Sequence, residues 1–234
     1  MVRLEMSQVL GRILRKDDLP ELGVSTRRLL IEAIQSQRTE EALKLLEYLS
    51  VERAQAPMVI FWIEQSLKFI GDNMGEEALY ESLRISAEHW RDRYEKVPLL
   101  PPEERLQFWV EVPRGAGDVT IVEDKEKYTI NLEPCGSGGR LRLAESNGRV
   151  QLGRTLKAHP WSWGQVNVPY WCCHCCVMNE ILPIEWNGFP VRVTEYSDNP
   201  NGSCVVWIYK DPTLIPDYYF ERVGKKKDPS KFKK

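Results

Sequence analysis

The chain has 234 residues, of which 42% are hydrophobic and 28% are charged, and its formal net charge is −2 at pH 7. A chain of this length and composition can bury a sizeable core in one large domain or two small ones, and its small net charge gives no general attraction to nucleic acid or lipid. Because it has no run of about 18 apolar residues and no signal-peptide core at its start, we expect neither a membrane span nor export, and therefore a cytoplasmic protein with reduced thiols.

Residues 1–97 have the periodicity of helices. One amphipathic segment begins at Ser25 or Thr26, either of which can cap its first turn. The next begins at Thr39 and carries acids in its first turn, where they interact favourably with the helix dipole. A third starts near Pro57, and the stretch GEEALYESLRISAEHWRDRYEKV forms the fourth. The first part of the chain is therefore predicted to be a helical region.

The prolines of VPLLPPEER mark the predicted boundary, because they interrupt the helix and favour extended chain. Within residues 98–224, DVTIVEDKEKYTINLEP alternates like a hairpin that turns at 123–126, and FPVRVTEYSDNPNGSCVVWIYKDP alternates like a second hairpin around DNPNG. The predicted fold class is α+β, with the helical N-terminal region packed on an antiparallel sheet domain that carries a cysteine-rich site. The lysine-rich end, residues 225–234, is predicted to be a flexible basic tail.

Four of the six cysteines lie within the segment YWCCHCC, residues 170–176. In a reducing compartment this pattern indicates a metal site or thiol chemistry more than a disulfide framework. On a helix Cys172 and Cys175 share one face, with Cys173 pointing elsewhere. A shift of one residue in helix phase would instead turn Cys173 and Cys176 inward, so both pairs stay open. Cysteines from two predicted strand ends, at 135 and 204, could converge on the same place.

Thiolates and imidazoles are the ligands that tetrahedral zinc prefers. Iron or an iron–sulfur cluster is an alternative cofactor, although the dense ferredoxin spacing is absent. A third interpretation is a metal-free reactive thiolate with nucleophilic or redox chemistry. The predicted ligands are Cys135, Cys172, Cys175, His174 and Cys204, with the histidine either coordinating or lying behind the ligands.

Further candidates for substrate binding and proton transfer lie near the cysteines in sequence. The glycine-rich loop in PCGSGGRL could bring backbone N–H groups and an arginine to a carboxylate. The dense aromatics of 159–171 could line a pocket. The substrate-binding candidates are Gly136, Ser137, Gly138, Gly139, Arg140 and Trp163, and the candidates for catalytic proton transfer are His159, His174 and Glu180.

The order YTINLEPC, then the double cysteine of CCHCC, then GSCVVWIYK resembles the L-2-amino-thiazoline-4-carboxylate hydrolase-like proteins over residues 119–210. In that family a strand leads into a cysteine-containing loop, a cysteine pair starts a helix, and a late strand with a cysteine closes the domain. The resemblance implies ring-opening hydrolysis of a small sulfur or nitrogen heterocycle. The cysteines that it carries over are Cys135, Cys172, Cys173 and Cys204.

Two classes of function stay open. The first is a hydrolase of a small carboxylated or heterocyclic molecule, in which a metal activates water or substrate, or one cluster cysteine attacks with His174 as its base. The second is a non-catalytic binding or sensing module with a closed structural zinc site, whose helical region forms a ligand groove or a homodimer. Both interpretations expect a small-molecule ligand and no nucleic-acid or membrane partner.

Overall fold

The computed structural model describes residues 3–8, 12–16, 24–53, 56–114, 119–132, 135–199, 201–202 and 204–232. The chain divides into two compact units, Met1–Ile60 and Phe61–Lys234. The boundary that we predicted near residue 97 therefore lies inside the second unit. All six cysteines belong to this second unit.

The first unit combines a short hairpin with a pair of helices. The hydroxyl of Ser25 accepts the N–H of Arg28, as expected of a helix cap. The hairpin differs from the prediction of helix throughout 1–97, because strands of four residues are too short to display a period in the sequence. Its elements are β1 (Leu4–Ser7), β2 (Arg12–Arg15), α1 (Thr26–Gln35) and α2 (Thr39–Arg53), and its small core is Ala33, Ala42 and Leu45.

A long helix, α3 (Ala56–Met74), leads into the second unit and is followed by three more helices. Pro102 stands at the first position of the last of them, where its missing N–H leaves no hydrogen bond unmade. The proline-rich stretch therefore restarts a helix, where we had expected it to mark the passage to strands. The three helices are α4 (Glu76–Glu88), α5 (Arg91–Tyr94) and α6 (Pro102–Arg114).

The sheet of the second unit is antiparallel, with the strand order β3-β4-β6-β5. Both predicted hairpins are confirmed, and so is the α+β class. One face of the central strands is apolar and buried, because every second residue of β4 points toward the helices. Helix α6 packs against the two central strands. The strands are β3 (Thr120–Glu123), β4 (Lys127–Leu132), β5 (Val193–Glu195) and β6 (Cys204–Tyr209).

Between the two hairpins lie helix α7 (Gly138–Ser146) and a continuous helical segment, residues 170–187, which we call the cluster helix. The cluster helix starts with a 3₁₀ turn, continues through a single α-turn at Cys173–Cys176, widens into a π-turn at Val177–Ile181, and returns to α-helix at Leu182–Asn187. Helix α4 packs against the π-turn. None of the described helices is both long enough and apolar enough to cross a bilayer.

The basic end of the chain is packed as far as it is described, in contrast to the flexible tail that we predicted. The ring of Phe232 stacks on Phe220 and meets Phe189 edge to face. The ammonium group of Lys227 donates to the carbonyl oxygens of Thr213 and Ile215. One buried aromatic ring thus anchors a segment whose lysines alone suggested a solvated end.

Candidate active site

Three chain segments bring four cysteines together. In the sheet Leu132, at the end of β4, pairs with Cys204, at the start of β6, and Cys135 follows Leu132 by three residues in the chain. The cluster helix supplies Cys172 and Cys175 from the helical side. Negative charge on any of the other three sulfurs would raise the pKa of the Cys172 thiol. All six cysteines are reduced, and Cys135 and Cys175 are the two that are not fully buried.

Arg142 inserts its guanidinium between two of these cysteines. Its Nη1 donates to the Sγ of Cys172 at 3.4 Å, and its Nη2 donates to the Sγ of Cys204 at 3.7 Å. The side chain is 1% exposed, and no described carboxylate contacts it. Gly138 makes this approach feasible, since a Cβ atom there would lie 2.6 Å from the sulfur of Cys172. A buried cation therefore faces the thiols from the first turns of α7.

A histidine and a second arginine contact Cys175. The Nδ1 of His174 hydrogen-bonds the carbonyl oxygen of Trp171. Because a carbonyl only accepts, Nδ1 carries the proton and Nε2 is left as an acceptor. Nε2 lies 3.4 Å from the Sγ of Cys175, and the Nη2 of Arg192 donates to the same sulfur at 3.5 Å. The Cys175 thiol thus has a base and a cation within reach.

Burial sets the resting charges of this pair. It lowers the pKa of His174 below its ordinary value, so the imidazole is neutral at pH 7. It also raises the pKa of the Cys175 thiol, and the guanidinium of Arg192 opposes that rise. The resting pair is therefore a neutral thiol beside a neutral base. Burial likewise raises the pKa of Cys172, against the opposing effect of Arg142.

The other two cluster cysteines belong to the core. The thiol of Cys173 points to the carbonyl oxygen of Pro169 at 3.6 Å, and that of Cys176 points to the carbonyl oxygen of Pro160 at 3.4 Å. Both are completely buried, and burial raises both pKa values. The helix phase that the sequence left open thus places Cys172 and Cys175 at the site that contains the two arginines.

Glu180, a candidate for proton transfer, is occupied elsewhere. Its two oxygens accept hydrogen bonds from the Nη2 of Arg222 at 2.9 and 3.1 Å, and Oε1 also accepts the indole N–H of Trp163 at 2.9 Å. It also accepts the backbone N–H of Thr194 at 2.9 Å. These donors tie the cluster helix to β5 and to the C-terminal region, and none of them comes from the thiol site. Glu180 therefore has a structural role: it holds these elements together and is not available to the thiols.

The aromatic candidates also lie outside the thiol site. The Nε2 of His159 pairs with Glu76 at 2.7 Å, and its ring stacks on Trp161 with centroids 4.5 Å apart. Trp163 is buried and stacks on Tyr196 at 5.6 Å, with its N–H used by Glu180. Both residues pack the loop that precedes the cluster helix, and the structure does not bring them to Cys175.

The glycine-rich loop is near the thiols, but its arginine is not the one that contacts them. The Ser137 hydroxyl lies 3.5 Å from the sulfur of Cys135. Gly136 is half-buried, and Gly139 is buried in the first turn of α7. Arg140 is exposed, and its backbone N–H donates to the carbonyl oxygen of Cys135. The arginines at the site are Arg142 and Arg192, which sequence analysis missed. Helical spacing offered one signal, since Arg142 lies one turn after Gly138.

The predicted zinc ligands do not form a ready metal site as the side chains are placed. Within the part of the chain that the structure describes, no three His, Cys, Asp or Glu side chains are grouped so that they could hold a metal ion. Instead, the sulfurs of Cys172 and Cys204 accept hydrogen bonds from the guanidinium of Arg142, and the sulfur of Cys175 accepts one from Arg192. We therefore derive no chemical step through a metal, and zinc stays a prediction from composition.

The fold and site together define an α+β protein with a buried cluster of thiols and arginines. Comparison with protein-family models, with characterised proteins and with solved structures found no match to this chain. The resemblance of residues 119–210 to the thiazoline-carboxylate hydrolase-like proteins therefore stays a prediction.

Proposed function

We propose that this protein is a thiol-dependent enzyme in which Cys175 is the nucleophile and His174 is its general base. The observation that carries the proposal is the 3.4 Å contact between the Nε2 of His174 and the Sγ of Cys175, with Nδ1 tied to a backbone carbonyl. That arrangement matches a nucleophile next to a base that is itself oriented by a third group. Cys175 is also one of the two cysteines in the chain that are not fully buried, the other being Cys135.

The proposed reaction is hydrolysis of a small carboxylated or heterocyclic molecule through a covalent intermediate. The Sγ of Cys175 forms a bond to an electrophilic carbon of the substrate, and the thiol proton moves to the Nε2 of His174. The electron pair of the carbon–heteroatom π bond moves to the heteroatom. The electron pair on that heteroatom then re-forms the π bond while the bond from carbon to the leaving atom breaks, and the imidazolium gives its proton to the leaving atom. Water then adds to the same carbon, and the carbon–sulfur bond breaks. His174 takes up the proton of that water and gives it back to the Cys175 sulfur, so atoms and charge balance.

The two arginines would act on negative charge in this reaction. Arg192 contacts the attacking sulfur and so favours it as a thiolate. Arg142 contacts Cys172 and Cys204, and its buried charge favours any anion that forms beside them. Fixed cations aimed at developing charge need no reorganisation during the reaction, which is the main source of electrostatic catalysis.

The proposal is tested by measuring the rate of iodoacetamide alkylation at each cysteine, resolved by peptide mass spectrometry. We expect Cys175 to be the fastest of the six. His174→Asn keeps a side-chain N–H for the Trp171 carbonyl but removes the base at Nε2, and it should slow alkylation of Cys175 by roughly a factor of 10². His159→Asn is the matched control, because it removes the other histidine of this region, and it should leave the rate unchanged.

Two outcomes would contradict the proposal. One is a fastest-reacting cysteine other than Cys175. The other is equal Cys175 rates in wild type and His174→Asn while both remain folded by circular dichroism. If alkylation follows the prediction, small carboxylated five-membered heterocycles are the first substrate panel, with Cys175→Ser as the inactive comparison.

A second candidate is the zinc-bearing site that composition predicts, either catalytic or structural. The feature that favours it is the pair of cationic side chains in contact with three sulfurs, since an anionic zinc–thiolate centre needs neighbouring positive charge. Metal content per chain, measured on protein purified without chelator or a metal affinity column, decides between the candidates. About one zinc per chain that is lost in Cys135→Ser and Cys204→Ser supports the metal site. A metal-free protein with a fast Cys175 excludes it.

A further inference from the structure

Asn179 is a fully buried amide on the same helix as Cys175, one turn further along. Its Nδ2 donates to the carbonyl oxygen of Cys175 at 2.9 Å, and its Oδ1 accepts the hydroxyl of Tyr94 at 3.1 Å. Its backbone carbonyl accepts the N–H of Val191 at 3.1 Å. One residue thus joins the backbone of Cys175 to helix α5 and to the segment before β5.

The local backbone explains why an amide is used here. Asn179 lies in the π-turn, where the N–H of Leu182 reaches back five residues to the carbonyl of Val177. Such turns are rare and occur frequently at functional sites. Widening the helix shifts backbone donors away from their usual acceptors. The Asn179 side chain supplies a donor to the Cys175 carbonyl from within the turn.

The same network reaches the cation that contacts Cys175. Val191, which donates to Asn179, directly precedes Arg192. The guanidinium of Arg192 lies over the ring of Trp109 at 4.8 Å, and Trp109 meets Tyr94 edge to face at 5.5 Å. Burial raises the pKa of Tyr94 to about 12, so its hydroxyl stays a donor throughout the physiological range. Asn179 therefore contacts the backbone of Cys175, and Tyr94 is connected to Arg192 through the ring of Trp109.

We propose that Asn179 is a positioning residue that holds the Cys175 sulfur against His174 and Arg192. This inference rests on the proposed function, because it concerns the same nucleophile. It goes further in assigning the π-turn and the Tyr94–Asn179 hydrogen bond a role in reactivity. Asn179 touches no reacting atom, so its effect is exerted through the backbone of Cys175 and through Val191.

The test is Asn179→Leu, which keeps the side-chain volume and removes both amide contacts. The readout is the alkylation rate of Cys175 as a function of pH, measured on the folded protein. A displacement of the sulfur by a fraction of an ångström to an ångström should reduce the rate on the order of tenfold to 10²-fold. It should also shift the apparent pKa of the rate profile upward, because the contact with Arg192 weakens.

Asn187→Leu is the matched control, because the chain offers a second fully buried asparagine on the cluster helix. The Nδ2 of Asn187 donates to the backbone carbonyl of Tyr94 at 3.2 Å and does not contact Cys175. We expect this variant to lose stability in a similar way while keeping the wild-type alkylation profile. Tyr94→Phe removes only the hydroxyl that Asn179 accepts, so it provides a milder variant if Asn179→Leu does not fold. Tyr94→Phe should also reduce the alkylation rate of Cys175.

Folded Asn179→Leu or Tyr94→Phe with a wild-type rate profile would overturn the inference. An equal reduction of the alkylation rate in Asn187→Leu would also overturn it, because the effect would then come from a general loss of stability. The alkylation rate of Cys175 in the wild-type protein distinguishes this failure from a failure of the proposed function. A fast Cys175 that depends on His174 but not on Asn179 refutes the positioning role alone, whereas a slow wild-type Cys175 refutes the proposed function itself.

Discussion

Glu64 allows a sharp prediction about pH and stability. Its side chain is completely buried on α3, where Oε1 accepts the N–H of Gly153 and Oε2 accepts the N–H of Trp171, each at 2.9 Å. It therefore fixes the start of the cluster helix. Burial raises the pKa of Glu64 from 4.5 to about 7, although the two N–H groups oppose the rise; the charge of Glu145 adds to it and that of Arg154 lowers it.

The sign of the effect follows from proton linkage. Between about pH 4.5 and 7 the unfolded chain has an ionised Glu64, whereas the folded chain keeps the proton. The folded state then binds more protons, so the free energy of unfolding falls as pH rises through this window and levels off above it. A shift of 2.5 units at about 1.4 kcal/mol per unit amounts to roughly 3 kcal/mol.

The assay is urea unfolding followed by tryptophan fluorescence from pH 4.5 to 8 at constant ionic strength. All eight tryptophans belong to the second unit, so the signal reports the unit that contains Glu64. Glu64→Gln keeps the shape and removes the titration, and Glu81→Gln removes an exposed carboxyl as a control. The stability difference between wild type and Glu64→Gln should change by roughly 3 kcal/mol across the window. A difference that stays constant with pH refutes the reasoning.

Three further predictions concern packing around the site and can be checked by the same unfolding assay. Glu180→Ala should lose about 3–5 kcal/mol, because it leaves the buried guanidinium of Arg222 without its main partner; a loss below about 1 kcal/mol would show that the pair is dispensable. Gly138→Ala should cost about 1–3 kcal/mol, since the added methyl group would meet the sulfur of Cys172 at 2.6 Å, and unchanged stability would mean that α7 moves freely. Phe232→Ala should lose about 3 kcal/mol if the end of the chain is anchored as described, whereas a solvated tail predicts no change.

Periodicity was sufficient to predict the sheet. The alternation around 119–132 and 191–209 predicts two hairpins, and both are present. The alternation is clear because one face of the central strands β4 and β6 is buried. The proline-rich stretch was harder to interpret, since proline ends one helix and also suits the first position of the next. Pro102 does the latter, so the helices continue to residue 114.

The site was only partly predictable, for a different reason. Helical spacing placed Cys172 and Cys175 on one face, which is the face that meets the arginines. Arg142 is 30 residues from Cys172 in the chain, so no local pattern links them. Glu180 shows the reverse case: its place near the cysteines in sequence suggested a base, but its partner, Arg222, lies 42 residues further on. Contacts between residues far apart in the chain therefore determine the roles of both Arg142 and Glu180.

The charges of the site favour a reaction that creates an anion. Arg222 is buried beside carboxylates, whereas no described carboxylate contacts Arg142 or Arg192. Burial meanwhile raises the pKa of the thiols that these arginines contact, which disfavours charge on sulfur at rest. A buried cation without a fixed anion is costly, and that cost falls when negative charge forms next to it. The electrostatic free energy of the resting site is therefore raised relative to that of a site with a thiolate or a bound anion. This difference in electrostatic energy is what a nucleophilic thiol needs, and an anionic metal–thiolate centre would draw on it as well.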